Sequence, residues 1–251
     1  RHFLQVPGPT NIPDRVLQAM AFPAMDHRGP DFQNLSFNVL KKIKLIFKSE
    51  DPVVIFPSAG TGAMEASLAN TLSEGDKILM FETGHFATEW CQAARRYKLD
   101  VDFIPGDWRT GADPKIVEKK LSEDKNHEIK AVLVTHNETS TGIKSQVEEV
   151  RKAIDSTNHP ALFMVDTISS LGSYNYDHQK WKVDVTVGGS QKGLMCPPGL
   201  SFNAISPKAL EAYKKSKLTK SYFDWGQMLD NNKNGFYPYT PAVNLLYALN
   251  E

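Results

Sequence analysis

The chain has 251 residues, 41% of them hydrophobic and 23% charged, which suits a globular protein with ample core and excludes a disordered or low-complexity one. Its 29 basic side chains balance 29 acidic ones, so charge gives no support to nucleic acid or an anionic membrane as the main partner. Two cysteines, Cys91 and Cys196, are too few for a disulfide scaffold and fit a reducing compartment, and no apolar run approaches the about 18 residues of a membrane helix.

In chain order, residues 5–13 come first. Pro7, Gly8, Pro9 and Pro13 predict an extended arm rather than a helix. Residues 30–47 read as a helix, with Phe32, Leu35, Val39, Ile43 and Ile46 recurring every three or four positions. From there, short apolar or β-branched runs alternate with helical spacing. The predicted strands are 53–56, 77–81, 101–104, 129–135, 161–165, 183–187 and 200–205. The helices between them are 64–72, 87–97, 114–121 and 147–155. Such alternation predicts a three-layer α/β fold around a mostly parallel seven-stranded sheet. No repeat and no Ser/Gly linker is visible, so residues 14–251 read as one large domain behind an arm of residues 1–13. Residues 222–241, rich in aromatics, Asn and Gly, predict a long irregular loop. Pro241 then opens a last helix, and a further segment is expected beyond Glu251.

In open α/β sheets ligands bind beyond the carboxyl ends of the strands, so the residues after each strand carry the functional reading. Ser58-Ala59-Gly60-Thr61-Gly62 follows the first. Its free N–H groups at a helix start suit a single phosphate, although an ordinary strand-to-helix turn looks the same. No Lys-Ser/Thr pair follows as a P-loop requires, and Glu65 stands where G-x-G-x-x-G needs its third glycine. A hydroxyl cluster, His136 to Gly142, follows the fourth strand. Asp166 ends the apolar run ALFMVD, where a carboxylate needs a cationic partner or caps the next turn. Lys192 lies in GGSQKG. Alone it reads as a solvated lysine; beside a phosphate loop and a buried acid its amine becomes a nucleophile toward aldehydes. Phosphate, aldehyde and protonated ring nitrogen in one small molecule describe pyridoxal 5′-phosphate. The histidines, among them His27, His85, His127, His136, His159 and His178, show no metal spacing. His85 and His136 read as hydrogen-bonding neighbours of the site rather than as ligands.

The motifs VPGPTNIP (6–13), SAGTGAMEA (58–66), GHFATEW (84–90), HNETSTG (136–142), VDTISSLG (165–172), GGSQKGLMCPPG (188–199) and YPYTPAVNLLYAL (237–249) occur in order along the whole chain. Together they resemble the class V aminotransferases of the pyridoxal-phosphate fold-type I group, in particular the alanine/serine–glyoxylate aminotransferases and among them the serine–glyoxylate branch. The resemblance implies transamination between serine or alanine and glyoxylate or another 2-oxo acid. It makes Lys192 the Schiff-base lysine and Asp166 the acid on the pyridine nitrogen. It places Ala59, Gly60 and Thr61, with Ser190 and Gln191, at the phosphate, and Thr139 at the phenolic oxygen. Phe86 falls where relatives stack an aromatic ring, often Trp, on the cofactor. Tyr237 and Thr240 match residues that reach the phosphate of the neighbouring subunit, which implies a homodimer. The arginine that fixes the substrate carboxylate belongs to a small C-terminal domain expected beyond this chain; Arg1, Arg15, Arg28, Arg95, Arg96, Arg109 and Arg151 do not match it.

The alternatives are an aspartate–glyoxylate aminotransferase and a fold-type I lyase such as a cysteine desulfurase, which needs a mobile catalytic cysteine. A serine hydrolase is weaker, since Gly188-Gly189-Ser190-Gln191-Lys192 lacks the second glycine of G-x-S-x-G. A non-catalytic binding protein of the same fold has no use for Lys192 and Asp166 together. The expected compartment is the cytoplasm, with the peroxisome open.

Overall fold

The structure, a computed structural model, describes residues 3–251. Seven short runs form one sheet, buried on both faces except at the half-exposed edge strand β3: β1 (Val53–Phe56), β2 (Lys77–Phe81), β3 (Asp100–Ile104), β4 (Ile129–Thr135), β5 (Leu162–Asp166), β6 (Val185–Gly189) and β7 (Ser201–Ile205). Continuous apolar strands of this kind need helices on both sides. Those helices are α1 (Asp14–Met20), α2 (Pro30–Phe47), α3 (Gly60–Thr71), α4 (His85–Arg96), α5 (Pro114–Glu123), α6 (Val147–Ser156), α7 (Pro207–Lys215), α8 (Trp225–Asn232) and α9 (Val243–Asn250). The sheet order is β1-β7-β6-β5-β4-β2-β3. β3, β2, β4, β5 and β6 pair in parallel, and β7 runs antiparallel to both β6 and β1. The chain steps outward from β2 to β3, then reverses through β4, β5 and β6. That reversal makes a switch point between β2 and β4, where such sheets open a crevice for ligands.

Two strand boundaries move toward the site. β5 extends to Asp166, which sits in register with Thr135 of β4 and Val187 of β6. β6 starts at Val185 and continues through Gly188 and Gly189, which pair with Phe202 and Ser201 of β7. Gly188 can continue there because it has no side chain: a Cβ would meet Leu171 Cδ2 at 3.0 Å and Phe47 at 3.1 Å. α3 begins four residues before its apolar periodicity does, at Gly60, because Ala59 in extended conformation already acts as its N-cap.

Three helices lie outside the periodicity reading. α1 follows Pro13, and α7 has Ser206 accepting from the Ala209 N–H with Pro207 at its first position. α8 interrupts the stretch 222–241, which is therefore not one irregular loop. Asp224 caps it by accepting from the Gly226 and Gln227 N–H groups.

Buried polar bonds fasten α8 to the core. Asn70 of α3 donates to the Phe223 carbonyl and accepts from the Trp225 N–H. Asn203 of β7 accepts from Trp225 Nε1 at 3.1 Å and donates to the Ala63 carbonyl at 3.1 Å. Asn203 and Trp225 are both fully buried. Asn203→Ala strands the indole N–H and opens a small cavity, so it should lower unfolding stability by about 2–4 kcal/mol. A urea melt checks this, and a loss below about 0.5 kcal/mol would mean that water replaces the side chain.

Candidate functional site

The loops that leave β1, β4, β5 and β6 converge at the carboxyl edge of the sheet on a cavity of about 310 Å³. Ala59, Gly60 and Thr61 contribute the start of α3, and Phe86 the first turn of α4. Thr139, Asp166, Gln191 and Lys192 close it from the sheet side. A larger groove of about 600 Å³ lies at the amino ends of β4 and β5 and holds none of these residues.

No side chain caps α3, so N–H groups of its first turn remain available beside the Thr61 hydroxyl. Close approach there requires Gly60, because a Cβ would come within 2.4 Å of Ile168 Cδ1. Asp166 is only 4% exposed, and its Oδ1 accepts from the Ile168 N–H at 2.8 Å. Burial pushes its pKa up to about 7, with the Glu138 charge adding to the rise, while the Ile168 N–H and the Lys192 charge pull the other way. The Lys192 amine is held below its ordinary range by burial, against the pull of Asp166. Gln191 Oε1 is buried with no hydrogen-bond partner. Thr139 Oγ1 and Ser169 Oγ share a hydrogen bond at the rim.

Several parts of the site carry no sequence signal of their own. Gly8 and Pro9 of the N-terminal arm line the cavity, as do Ile168 and Pro198. The Pro7 carbonyl accepts from Lys192 Nζ at 2.7 Å. Glu138, fully buried, accepts from the N–H groups of Phe86, Ala87 and Ser140 and from the Ser140 hydroxyl. That carboxylate ties the loop carrying Thr139 to the helix carrying Phe86 across the switch point. The signal was present in HNETSTG, but an acid amid hydroxyl residues does not announce that its partners are main-chain N–H groups.

Other expected site residues lie elsewhere. Ser190 does not line the cavity: its hydroxyl donates to the Pro197 carbonyl and accepts from the Leu200 N–H, pinning the turn after β6. Tyr237 is nine-tenths buried against Phe32, with its hydroxyl facing Ser36, and Thr240 is exposed beside Ala24 and His27. His136 bonds Ser170 through Nδ1 at 2.9 Å beneath Tyr176 and Trp181, and burial pushes its pKa down to about 4. His85 sits edge-on to Phe86. Arg1 falls outside the described residues, and among those described no arginine lines the cavity. Arg151, for instance, is spent on Asp155 at 2.7 Å.

The chain is similar to known proteins along its whole length. The aminotransferase class-V profile matches residues 2–251. A serine–glyoxylate aminotransferase of Methylorubrum extorquens is 48% identical, over 100% of this chain and 64% of its own length. An L-aspartate–glyoxylate aminotransferase of Paracoccus denitrificans is 44% identical, over 98% of this chain and 62% of its own. The chain thus spans less than two thirds of the length of these relatives. Among solved structures, an aspartate aminotransferase of subgroup IV from Thermus thermophilus superposes with a TM-score of 0.91 at 31% identity, over 99% of this chain and 69% of that one. The chain belongs to the class-V aminotransferase family, whose cofactor is pyridoxal 5′-phosphate.

Proposed function

We propose that this chain forms the cofactor-binding part of a transaminase that moves an amino group from serine or alanine to glyoxylate or another 2-oxo acid. One observation carries the reading: a buried carboxylate, Asp166, and a desolvated amine, Lys192, share one cavity with the uncapped start of α3. The residues present fit pyridoxal 5′-phosphate. The α3 N–H groups with Ala59, Gly60 and the Thr61 hydroxyl suit its phosphate, and Gln191, whose buried Oε1 has no donor in the chain, lines the same cavity with an amide that can accept from a ligand through that oxygen or donate through its nitrogen. Ser190 contributes at that end through a hydroxyl that holds the turn after β6 in place. Thr139 suits the phenolic oxygen, and Phe86 offers an aromatic face.

When bound, the cofactor supplies an electron sink that makes the α C–H of an amino acid acidic. Everything else falls to the chain. Lys192 attaches the cofactor and, when its amine is free, takes the α proton as general base; its lowered pKa keeps a larger fraction of that amine unprotonated. Asp166 holds a proton at the ring nitrogen, a task for an acid whose own charge is poorly solvated and needs a cation beside it. Glu138 keeps Phe86 and Thr139 in fixed relation. The 48% identity to a serine–glyoxylate enzyme supports serine as donor. The 44% identity to an aspartate–glyoxylate enzyme keeps aspartate as the second reading. A cysteine desulfurase finds no support among the thiols: Cys91 and Cys196 are buried, neither lines the cavity, and burial pushes the Cys196 thiol up to about 11.

The proposed assembly is a homodimer in which the stretch carrying Tyr237 and Thr240 reaches the partner's phosphate, Thr240 from its exposed position and Tyr237 as the buried ring that packs this stretch onto Phe32. The exposure of Thr240 away from its own cavity supports a role across an interface. Both free cysteines fit a reducing compartment such as the cytoplasm, and no helix of the described residues is long and apolar enough to cross a membrane.

Three outcomes test this reading. Lys192→Ala should lose the visible absorbance of attached cofactor and every borohydride-reducible adduct; an adduct that persists places the attachment elsewhere. Asp166→Asn should still bind cofactor but turn over about a hundredfold more slowly or worse, because a neutral ring draws electrons poorly. Unchanged turnover there assigns the proton to another acid. Thr240→Ala should weaken cofactor binding by about one to two decades, the worth of a charge-assisted hydrogen bond, with the monomer–dimer balance shifting in parallel on sedimentation. A monomer with undiminished affinity would show a site built from one chain.

A further inference from the structure

Only at its end, where Ile12 packs on Val16, Cys196 and Ala248, does the N-terminal arm sit on the body of the protein through an apolar side chain. Phe3, Leu4 and Val6 are 76%, 43% and 55% exposed. Its polar contacts with the body converge on two residues, Gln191 and Lys192. The Thr10 N–H donates to the Gln191 carbonyl at 3.0 Å, and the Thr10 hydroxyl reaches the Gln191 and Lys192 carbonyls at 3.3 and 3.2 Å. Three residues earlier the Pro7 carbonyl accepts from Lys192 Nζ at 2.7 Å. The lysine is therefore gripped at both ends, main chain by Thr10 and amine by Pro7. Between the two lies Gly8, with φ of +151°, where a Cβ would stand 2.5 Å from Nζ and 2.7 Å from Cδ and Cε of Lys192. Only glycine fits that backbone and that distance. A proline at 7 has no N–H of its own, but its carbonyl is unrestricted as an acceptor.

We propose that the Pro7 carbonyl is the docking point of the Lys192 amine whenever that amine is not covalently engaged, with Gly8 and Thr10 as the positioning residues that hold the carbonyl there. The inference rests on the reading of Lys192 as the attaching lysine and general base. It adds where the freed base waits: against the arm, beside the cavity, rather than in solvent. A base held there keeps its reach to the reacting carbon and does not have to find its orientation again in each turnover. It also makes the arm part of the active site rather than a leader to the domain.

The test uses the full chain, first without cofactor. Trace acetylation with acetic anhydride, read peptide by peptide by mass spectrometry, gives the reactivity of Lys192 relative to the exposed Lys215 in the same sample. Gly8→Ala should raise the relative rate at Lys192 about tenfold, the scale of one charge-assisted hydrogen bond. Thr10→Val, which leaves Gly8 intact and removes only the hydroxyl grip, should raise it severalfold. With cofactor and amino donor, both variants should lose kcat with little change in the KM for the donor, since docking acts on the proton transfer and not on substrate contact. Thermal melts confirm folding; if Gly8→Ala does not fold, Thr10→Val decides alone. An unchanged Lys192 rate in folded variants overturns the dock. Borohydride reduction of the wild-type holoprotein stands apart: absence of a Lys192 adduct removes the transaminase reading and leaves the acetylation result intact.

Discussion

A carboxylate taken out of water costs several kcal/mol unless donors or a cation replace the lost hydration. Two aspartates of this chain are equally buried, at 4% exposure each, and they meet that cost in opposite ways. Asp184, at the amino end of β6, accepts from the Phe163 N–H and the Ser206 hydroxyl and has Lys208 at 3.5 Å. Its charge is answered within the chain, and it works as a fastener between β5, β6 and α7. Asp166, at the carboxyl end of β5, has the Ile168 N–H for its Oδ1 and the Lys192 charge in the same cavity, and its pKa climbs to about 7. An acid so incompletely answered is kept in place only by a sheet rigid enough to refuse its escape to solvent.

The rigidity comes from register. Asp166 is level with Thr135 on one side and Val187 on the other, on the last rung of the parallel ladder that flanks β5 on each side. Moving it outward means breaking that ladder where β4, β5 and β6 are all buried. The same ladder fixes what stands next to the acid. The turn after β4 delivers Thr139 and Glu138, and the turn after β6 delivers Gln191 and Lys192. Glu138 then reaches across the switch point to main-chain N–H groups at the start of α4, so Phe86 arrives in the cavity from a strand that is not adjacent to β5. Four separate stretches of sequence thereby hold constant distances without sharing a single covalent neighbour.

This division explains what was legible in the sequence. Strands buried on both faces announce themselves as apolar runs, and the half-exposed β3 shows as a short β-branched and aromatic run, so all seven were located, with some edges shifted by one to two residues, as where glycine or aspartate continues the ladder. Residues whose chemistry is unusual for their surroundings were also legible: an aspartate closing ALFMVD, a lysine between small residues. Contacts made by main-chain atoms were not. The Pro7 carbonyl, the uncapped α3 and the N–H groups that satisfy Glu138 leave no trace in residue identity. Nor did the short helices α1, α7 and α8, whose caps at Ser206 and Asp224 are single residues without a long periodic run behind them. Ser190 shows the converse. Its place in GGSQKG suggested a phosphate contact, while its hydroxyl is consumed by Pro197 and Leu200 because the sharp return from β6 to β7 leaves polar main-chain groups that need partners.

Three groups short of a partner inside the chain meet at this one cavity. Asp166 lacks a close cation, Gln191 Oε1 lacks a donor, and the first turn of α3 lacks a cap. Each deficit lowers the stability of the chain alone, and such deficits are rare in folded proteins outside functional sites. Their charges are complementary to one molecule that is anionic at one end and cationic at the other: helix N–H groups for the anion, a carboxylate for the cation. A ligand of that form answers several deficits in a single event, and whatever affinity it has for the folded chain and not for the unfolded one is added to folding stability by mass action. The polar cost of the cavity and the affinity for its occupant are thus the same free energy seen from two states. For that reason the site can be left unsatisfied at the centre of the sheet, where the surrounding core of β4, β5 and β6 is tight enough to hold it open.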